Sequence, residues 1–285
     1  MKVKTRIANH GFTLIELIIV IVMLGILSTF TFGFISWGAR YYLDVSERQL
    51  VLDDSRFIIE RLTRELRTAL PYSVRTLTDN DEYACIEYVP IVASGRYIDI
   101  PQNPADSDDI TVSVISPTSG SLAAGNLFSV FTTSANEVYD SSNNQTFTID
   151  SVSAIALDSS QTVSFSSAIS FDDISPAQRY YIWSTPVSYC LELNSDKYDI
   201  YRYQSYAATT NQLTPTQLKA ASNVSYALMA ENVSNSLATE TPFHVNDNSS
   251  LIRHAQIAIY LEFSRLTDDN ENMFFHHLVQ VPNAP

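Results

Sequence analysis

Apolar and polar positions divide the chain into three textures. From Phe12 to Ala39, 28 residues carry one charge, Glu16, and 17–27 reads Leu-Ile-Ile-Val-Ile-Val-Met-Leu-Gly-Ile-Leu. About 20 consecutive apolar residues let a helix span hydrocarbon, so a spanning or core helix is predicted over 12–39. Beyond it the pattern turns amphipathic. Ile58, Leu62, Leu66 and Leu70 recur every four residues, joined by Ile59 and Ala69, which is the stripe of a half-buried helix. Pro71 predicts the end at Leu70, because the residue before a proline is pushed out of helical geometry. A helix over 12–70 would be roughly 88 Å long at 1.5 Å per residue. Its first half suits a bilayer or a bundle of like helices, and its second half (40–70) suits docking on a globular domain.

The third texture begins at Tyr72. Segments rich in Val, Ile, Tyr, Phe and Thr predict strands at 83–92, 110–116, 127–132, 146–149, 162–170, 179–183, 187–193, 198–203 and 256–263. Residues 216–229 could hold one short helix, and the Ser/Asn/Asp-rich stretches 134–145 and 239–250 read as loops. The fold class expected is therefore α+β: one long N-terminal helix packed on a β-rich head over 72–285, with no internal repeat. Gly25, Gly33 and Gly38 interrupt the apolar half. Each costs about 1 kcal/mol of helix propensity but lets helices approach closely.

A carboxylate inside such a run costs about 2.5–3.5 kcal/mol on insertion scales, so Glu16 is expected to have a partner. The residues before it are informative. Lys2, Lys4 and Arg6 precede Gly11, and the apolar run follows Gly11 directly. A secretory signal has its cleavage site after its apolar region. Here the small residue comes before it, so cleavage would leave the helix on the protein. The basic residues would hold 1–11 on the cytoplasmic side.

Gly11-Phe12-Thr13-Leu14-Ile15-Glu16 resembles the processing site of type IV prepilins and type II secretion pseudopilins. The resemblance implies a pilin-like fold and a leader over 1–11. It implies that prepilin peptidase cuts between Gly11 and Phe12 and that the new amine of Phe12 is methylated. It also implies that Glu16 of one subunit neutralises the Phe12 amine of a neighbour as an inner-membrane assembly platform builds the filament. An uncleaved anchor helix with an incidental glutamate is the alternative. Residues 56–71 resemble the helix end of large minor pilins related to type II secretion pseudopilin J and PilW. Residues 230–235 and 279–285 resemble the MshO group of MSHA (mannose-sensitive haemagglutinin) pilus biogenesis proteins. These likenesses imply a minor pilin that meets other minor pilins and the major pilin. A secretion pseudopilin, or a tip adhesin binding a surface or glycan, are the alternatives.

Charge narrows the classes further. Without residues 1–11 the chain has 14 basic and 31 acidic side chains, a net of −17, which argues against a nucleic-acid groove. Half of those basic residues lie between Arg40 and Arg75, whereas 97–178 has ten acidic residues and none basic. Around 40–75 the signs interleave, predicting solvated faces with local pairs such as Glu60–Arg64 and Arg61–Glu65.

The remaining chemistry is sparse. Cys85 and Cys190 both fall in predicted strands of an exported head, where the compartment is oxidising. One disulfide is the economical reading and two buried thiols are the alternative. His276-His277 lacks the spacing of a metal motif and reads as two alternating positions of a late strand. Acidic clusters at 79–82, 106–109 and 268–271 offer hard oxygen ligands, but none matches an EF-hand loop, and turn chemistry explains them. No nucleophile elbow, phosphate loop or dinucleotide fingerprint occurs, so neither catalysis nor a cofactor is expected.

Overall fold

The computed structural model of the chain describes residues 13–79, 81–102, 109–140, 142–246, 255–264 and 271–281. It divides into a unit over 1–50 and a unit over 51–285. One element, helix α1 (Leu14–Leu66), contributes to both.

The first unit is α1 up to Leu50. Thr13 to Val45 are all exposed, including Leu14, Phe30, Phe34 and Trp37. The hydroxyls in this apolar stretch are satisfied within the helix: Thr29 donates to the carbonyls of Gly25 and Ile26, Thr31 to Leu27 and Ser36 to Gly33. Bonds of this kind spare the hydroxyls from needing water, which is the condition for a helix in hydrocarbon. By length and composition α1 can cross a membrane.

In the second unit α1 is followed by β1 (Arg75–Asp79), β2 (Tyr83–Tyr88), β3 (Ala93–Asp99), β4 (Thr111–Ile115), β5 (Leu127–Ser129), α2 (Ala135–Tyr139), β6 (Thr146–Thr148), β7 (Ser151–Val152), β8 (Ser160–Ser164), β9 (Arg179–Trp183), β10 (Val187–Asn194), β11 (Lys197–Gln204), α3 (Pro215–Ala220), β12 (Ser225–Val233), β13 (Phe243–Asn246), β14 (Ala255–Ser264) and β15 (Asn272–Val281). They form two antiparallel sheets. The first runs β1-β2-β10-β11-β12-β14-β13, with β15 also paired to β14. The second runs β6-β5-β9-β3-β4-β8-β7. Every strand of the second sheet lies in sequence between β2 and β10, which are themselves neighbours in the first. The second sheet is thus an inserted lobe.

Two cores follow from this layout. Val51, Ile58, Leu62 and Leu66 of α1 pack against Ile86, Tyr189, Leu191, Ile257, Ile259, Leu261 and Val279 of the first sheet. Burying Ile58, Leu62 and Leu66, each at most 1% exposed, contributes about 1.5–3 kcal/mol apiece as an upper figure. The inserted lobe is organised by aromatics. Phe128 stacks on Tyr180 at 5.1 Å and Phe147 meets Phe171 edge-on at 5.0 Å. Leu70, Val89, Val138, Tyr139 and Trp183 form a small cluster where the lobe joins the rest.

The helix ends at Leu66, not at Leu70 as the stripe suggested. Ala69 bridges to Pro90, and the Leu70 amide donates to the Val89 carbonyl at 2.8 Å. The segment before Pro71 is therefore already extended and recruited to the sheet. The expected strand at 83–92 stops at Tyr88, since Pro90 cannot donate to a ladder, and β3 follows. Residues 216–229 split between α3 and β12. The helix is set by a capping box of Thr214 and Gln217 with Pro215 in its first turn, and Asn223 at φ 65° then turns the chain into the strand. The stretches expected as loops contain α2 and β13.

Candidate processing and assembly segment

Glu16 occupies the first turn of α1. The unpaired amides and aligned dipoles of a helix N-terminus favour a carboxylate there. Glu16 is exposed, as is every residue around it from Thr13 to Val45. The segment thus presents one anionic group at the start of a long, uncovered apolar surface. Gly11 and Phe12, the expected cleavage and methylation positions, lie outside the described residues.

The head places Cys85 and Cys190 directly opposite each other on β2 and β10, joined by a disulfide and fully buried. Tyr203, Tyr206 and Leu218 pack around it. The bond closes the base of the inserted lobe, whose two ends leave from these same strands.

Two carboxylates, Glu65 half-buried and Glu87 buried, complete the electrostatics of the head. Glu65, in the last turn of α1, accepts hydrogen bonds from Arg202 Nε and Arg61 Nε, each at 3.0 Å, and from the Tyr88 hydroxyl. Burial alone would raise its pKa. The bonds from Tyr88 and Arg202, with the Arg202 charge, overcome burial and hold the carboxyl below its ordinary value. Glu87 on β2 pairs with Arg75 and accepts from the Tyr206 hydroxyl at 2.9 Å. Here burial outweighs the arginine, and the carboxyl sits above its ordinary value. Arg75 is further held by the carbonyls of Thr209 and Thr210 and by the ring of Tyr139, 3.6 Å from its guanidinium carbon. The geometry of the two clusters fastens α1 to β2 and β11, and β1 to β2 and the 206–210 loop.

Sequence reasoning missed these clusters because their members lie far apart in the chain. The one local pair it named correctly is Arg61–Glu65; Glu60 and Arg64 form no ion pair among the described residues. His276 and His277 alternate across β15. His276 stacks on Tyr260 at 4.5 Å on the outer face, and His277 points the other way. Of the acidic clusters, Asp79, Asp81 and Glu82 flank the β1–β2 turn and Asp109 is described, whereas 106–108 and 268–270 lie outside the described residues. Among the described residues no three His, Cys, Asp or Glu side chains converge in a way that could hold a metal.

Residues 6–32 match the family model of the prokaryotic N-terminal methylation motif. That marks the N-terminal segment as type IV prepilin-like, of the pilin or pseudopilin kind, and implies processing by prepilin peptidase and association with the membrane. No curated protein and no solved structure matches the chain.

Proposed function

We propose that this chain is a minor pilin of an MSHA-type type IV pilus, related to the MshO group, that acts in starting the filament or at its tip. The observation that carries the reading is the methylation motif over 6–32, set on a helix whose apolar half is exposed from Thr13 to Val45. A helix of that composition needs lipid before assembly and like helices after it. In this reading 1–11 is the leader, 12–39 the membrane and filament-core helix, 40–66 its continuation, and 72–285 the periplasmic and later extracellular head. Prepilin peptidase cuts after Gly11 and the Phe12 amine is methylated. An unpaired ammonium at the start of a buried helix is costly. Glu16 of a neighbouring subunit offsets it only in the assembled state, so the pair acts as an assembly switch worked by the inner-membrane platform. The subunit is structural and performs no reaction.

The MSHA assignment draws on residues 230–235 and 279–285. The helix end at 56–71 favours, as the second reading, a minor pseudopilin of type II secretion. A tip adhesin finds support in the exposed outer face of the first sheet, where Phe274 and His276 flank Tyr260. Deleting the gene, then counting surface pili by electron microscopy and assaying secreted enzymes in the same cells, tests these readings. Lost pili with intact secretion is the result expected. Lost secretion with intact pili would overturn the pilus assignment in favour of the pseudopilin.

A further inference from the structure

One face of α1 changes chemistry where the apolar run gives out. Phe30, Phe34, Trp37 and Tyr41 follow one another at steps of four, three and four residues, which sets them on one side of the helix. All four are exposed. Phe30 and Phe34 are wholly apolar. Trp37 and Tyr41, whose rings stack at 6.1 Å, each have an apolar body and a polar tip. Beside them stand Tyr42 and Arg40, the first charge after Glu16. The other tryptophan, Trp183, is buried and donates to the Ser129 hydroxyl at 2.8 Å. By contrast the Trp37 indole and the Tyr41 and Tyr42 hydroxyls have no hydrogen-bond partner among the described residues, and Arg40 has no ion-pair partner there.

We propose that Trp37, Arg40, Tyr41 and Tyr42 form a seat in one phospholipid headgroup layer that sets the depth of α1, and that the seated helix holds Glu16 at the opposite edge of the hydrocarbon, in contact with water. Indole and phenol rings collect where hydrocarbon gives way to headgroups, because the ring is apolar while its N–H or O–H meets ester and phosphate oxygens. Arg40 meets a phosphate there as a charge-assisted pair. A bundle of apolar helices would accept Phe30 and Phe34 as readily as lipid does, but it offers these polar tips no acceptor. The span fits as well. Glu16 and Trp37 are 21 residues apart, roughly 32 Å at 1.5 Å per residue, against about 30 Å of hydrocarbon. With Trp37 at one boundary, Glu16 reaches the other and escapes the cost that a carboxylate bears in mid-membrane. The charge is drawn into apolar surroundings only when the helix leaves the bilayer for its neighbours. The inference rests on the reading of α1 as a membrane helix and fixes where in the bilayer it lies.

The test uses the full-length chain in nanodiscs of phosphatidylcholine and phosphatidylglycerol, both faces of which meet solvent. The lipids carry bromine near the ester groups, at mid-chain or at the methyl ends. Bromine quenches indole fluorescence at short range, and quenching that disappears in Trp37→Phe belongs to Trp37. The result expected is quenching strongest for bromine nearest the ester groups. In discs without bromine, Glu16→Cys is compared with Ser28→Cys, which lies near the middle of the span; the native cysteines are joined to each other. The reacting thiolate is charged and costly to form in hydrocarbon, so a water-soluble maleimide should modify position 16 about tenfold faster than position 28, or more. Quenching strongest at mid-chain or at the methyl ends, quenching at no depth in a chain that has entered the discs, or equally slow modification of positions 16 and 28 would overturn the proposal and leave α1 a membrane helix. A chain that fails to enter the discs would overturn the membrane reading with it.

Discussion

Glu65 is the point at which the helix is fastened to the sheet, and its removal should be felt across the head. Three donors converge on it, and the side chains of Glu65 and Arg202 are 20% and 15% exposed. A hydrogen bond to a charged group contributes about 1.5–3 kcal/mol, against about 0.5–1.5 for a neutral one. The Arg61 bond is nearer the surface, at 36% exposure, and adds about 0.5 kcal/mol or less. Glu65→Gln keeps an acceptor oxygen for Tyr88 and loses the charge, so about 1–2.5 kcal/mol of stability should disappear at pH 7. Glu65→Ala strands the Arg202 charge in a half-buried site and should cost about 3–5 kcal/mol. The pH dependence has a definite sign. The folded carboxyl titrates below its ordinary value, so wild type holds its full advantage over Glu65→Gln above the unfolded carboxylate value of 4.5. That advantage shrinks as pH falls through the folded value. Urea unfolding of the full chain in detergent, followed by circular dichroism at pH 7 and at pH 3, measures both quantities. A Glu65→Gln penalty below about 0.5 kcal/mol at pH 7, or one unchanged at pH 3, would refute the account.

Other expectations can be checked alongside. Gly11→Asp should block leader removal, read as an unchanged intact mass; a normally shortened chain would move the cleavage site elsewhere. Glu16→Ala should be cleaved normally yet be depleted from sheared filaments, and wild-type recovery would refute the switch. Cys85→Ser with Cys190→Ser opens a loop with a sequence separation of 105 and should lower stability by about 2–5 kcal/mol in the same urea assay. Gly120→Ala would place a methyl 2.1 Å from the Val92 carbonyl oxygen at φ 77°. It should destabilise by about 1–3 kcal/mol or more, and a neutral effect would show that the turn relaxes freely.

What could be read in advance was the part of the structure dictated locally. The apolar run, the stripe of Ile58, Leu62 and Leu66, and strands such as β9 and β10 announce themselves through composition and period. The helix end was misplaced because Ala69 and Leu70 keep the period of the stripe while their backbones pair with residues 89 and 90, a contact no local pattern reveals. β12 was taken for helix because a properly capped turn, α3, precedes it and its exposed Tyr226 and Leu228 blur the alternation. β15 was anticipated only at His276-His277, as alternating positions of a late strand; its extent was hidden because Phe274 and Leu278 on its outer face are as apolar as its inner face. The expected Cys85–Cys190 bond pointed to the contact of β2 with β10, but the gathering of every strand between them into a second sheet was not legible in any local pattern. At the N-terminus the position of Glu16 was plain from sequence.

The insertion of one lobe between two neighbouring strands has a mechanical consequence. Tension applied to the lobe enters the rest of the head at two adjacent points, just beyond Tyr88 and just before Val187, rather than at opposite ends of a sheet. If the lobe gives way, it can release roughly 350 Å of slack chain at about 3.3–3.6 Å per residue. Unfolding then stops at the Cys85–Cys190 bond, which keeps β2 and β10 from being drawn apart. The subunit is built like a climbing rope with a sewn shock absorber. The inserted lobe can yield and refold, while the sheet that carries α1 stays closed by the disulfide.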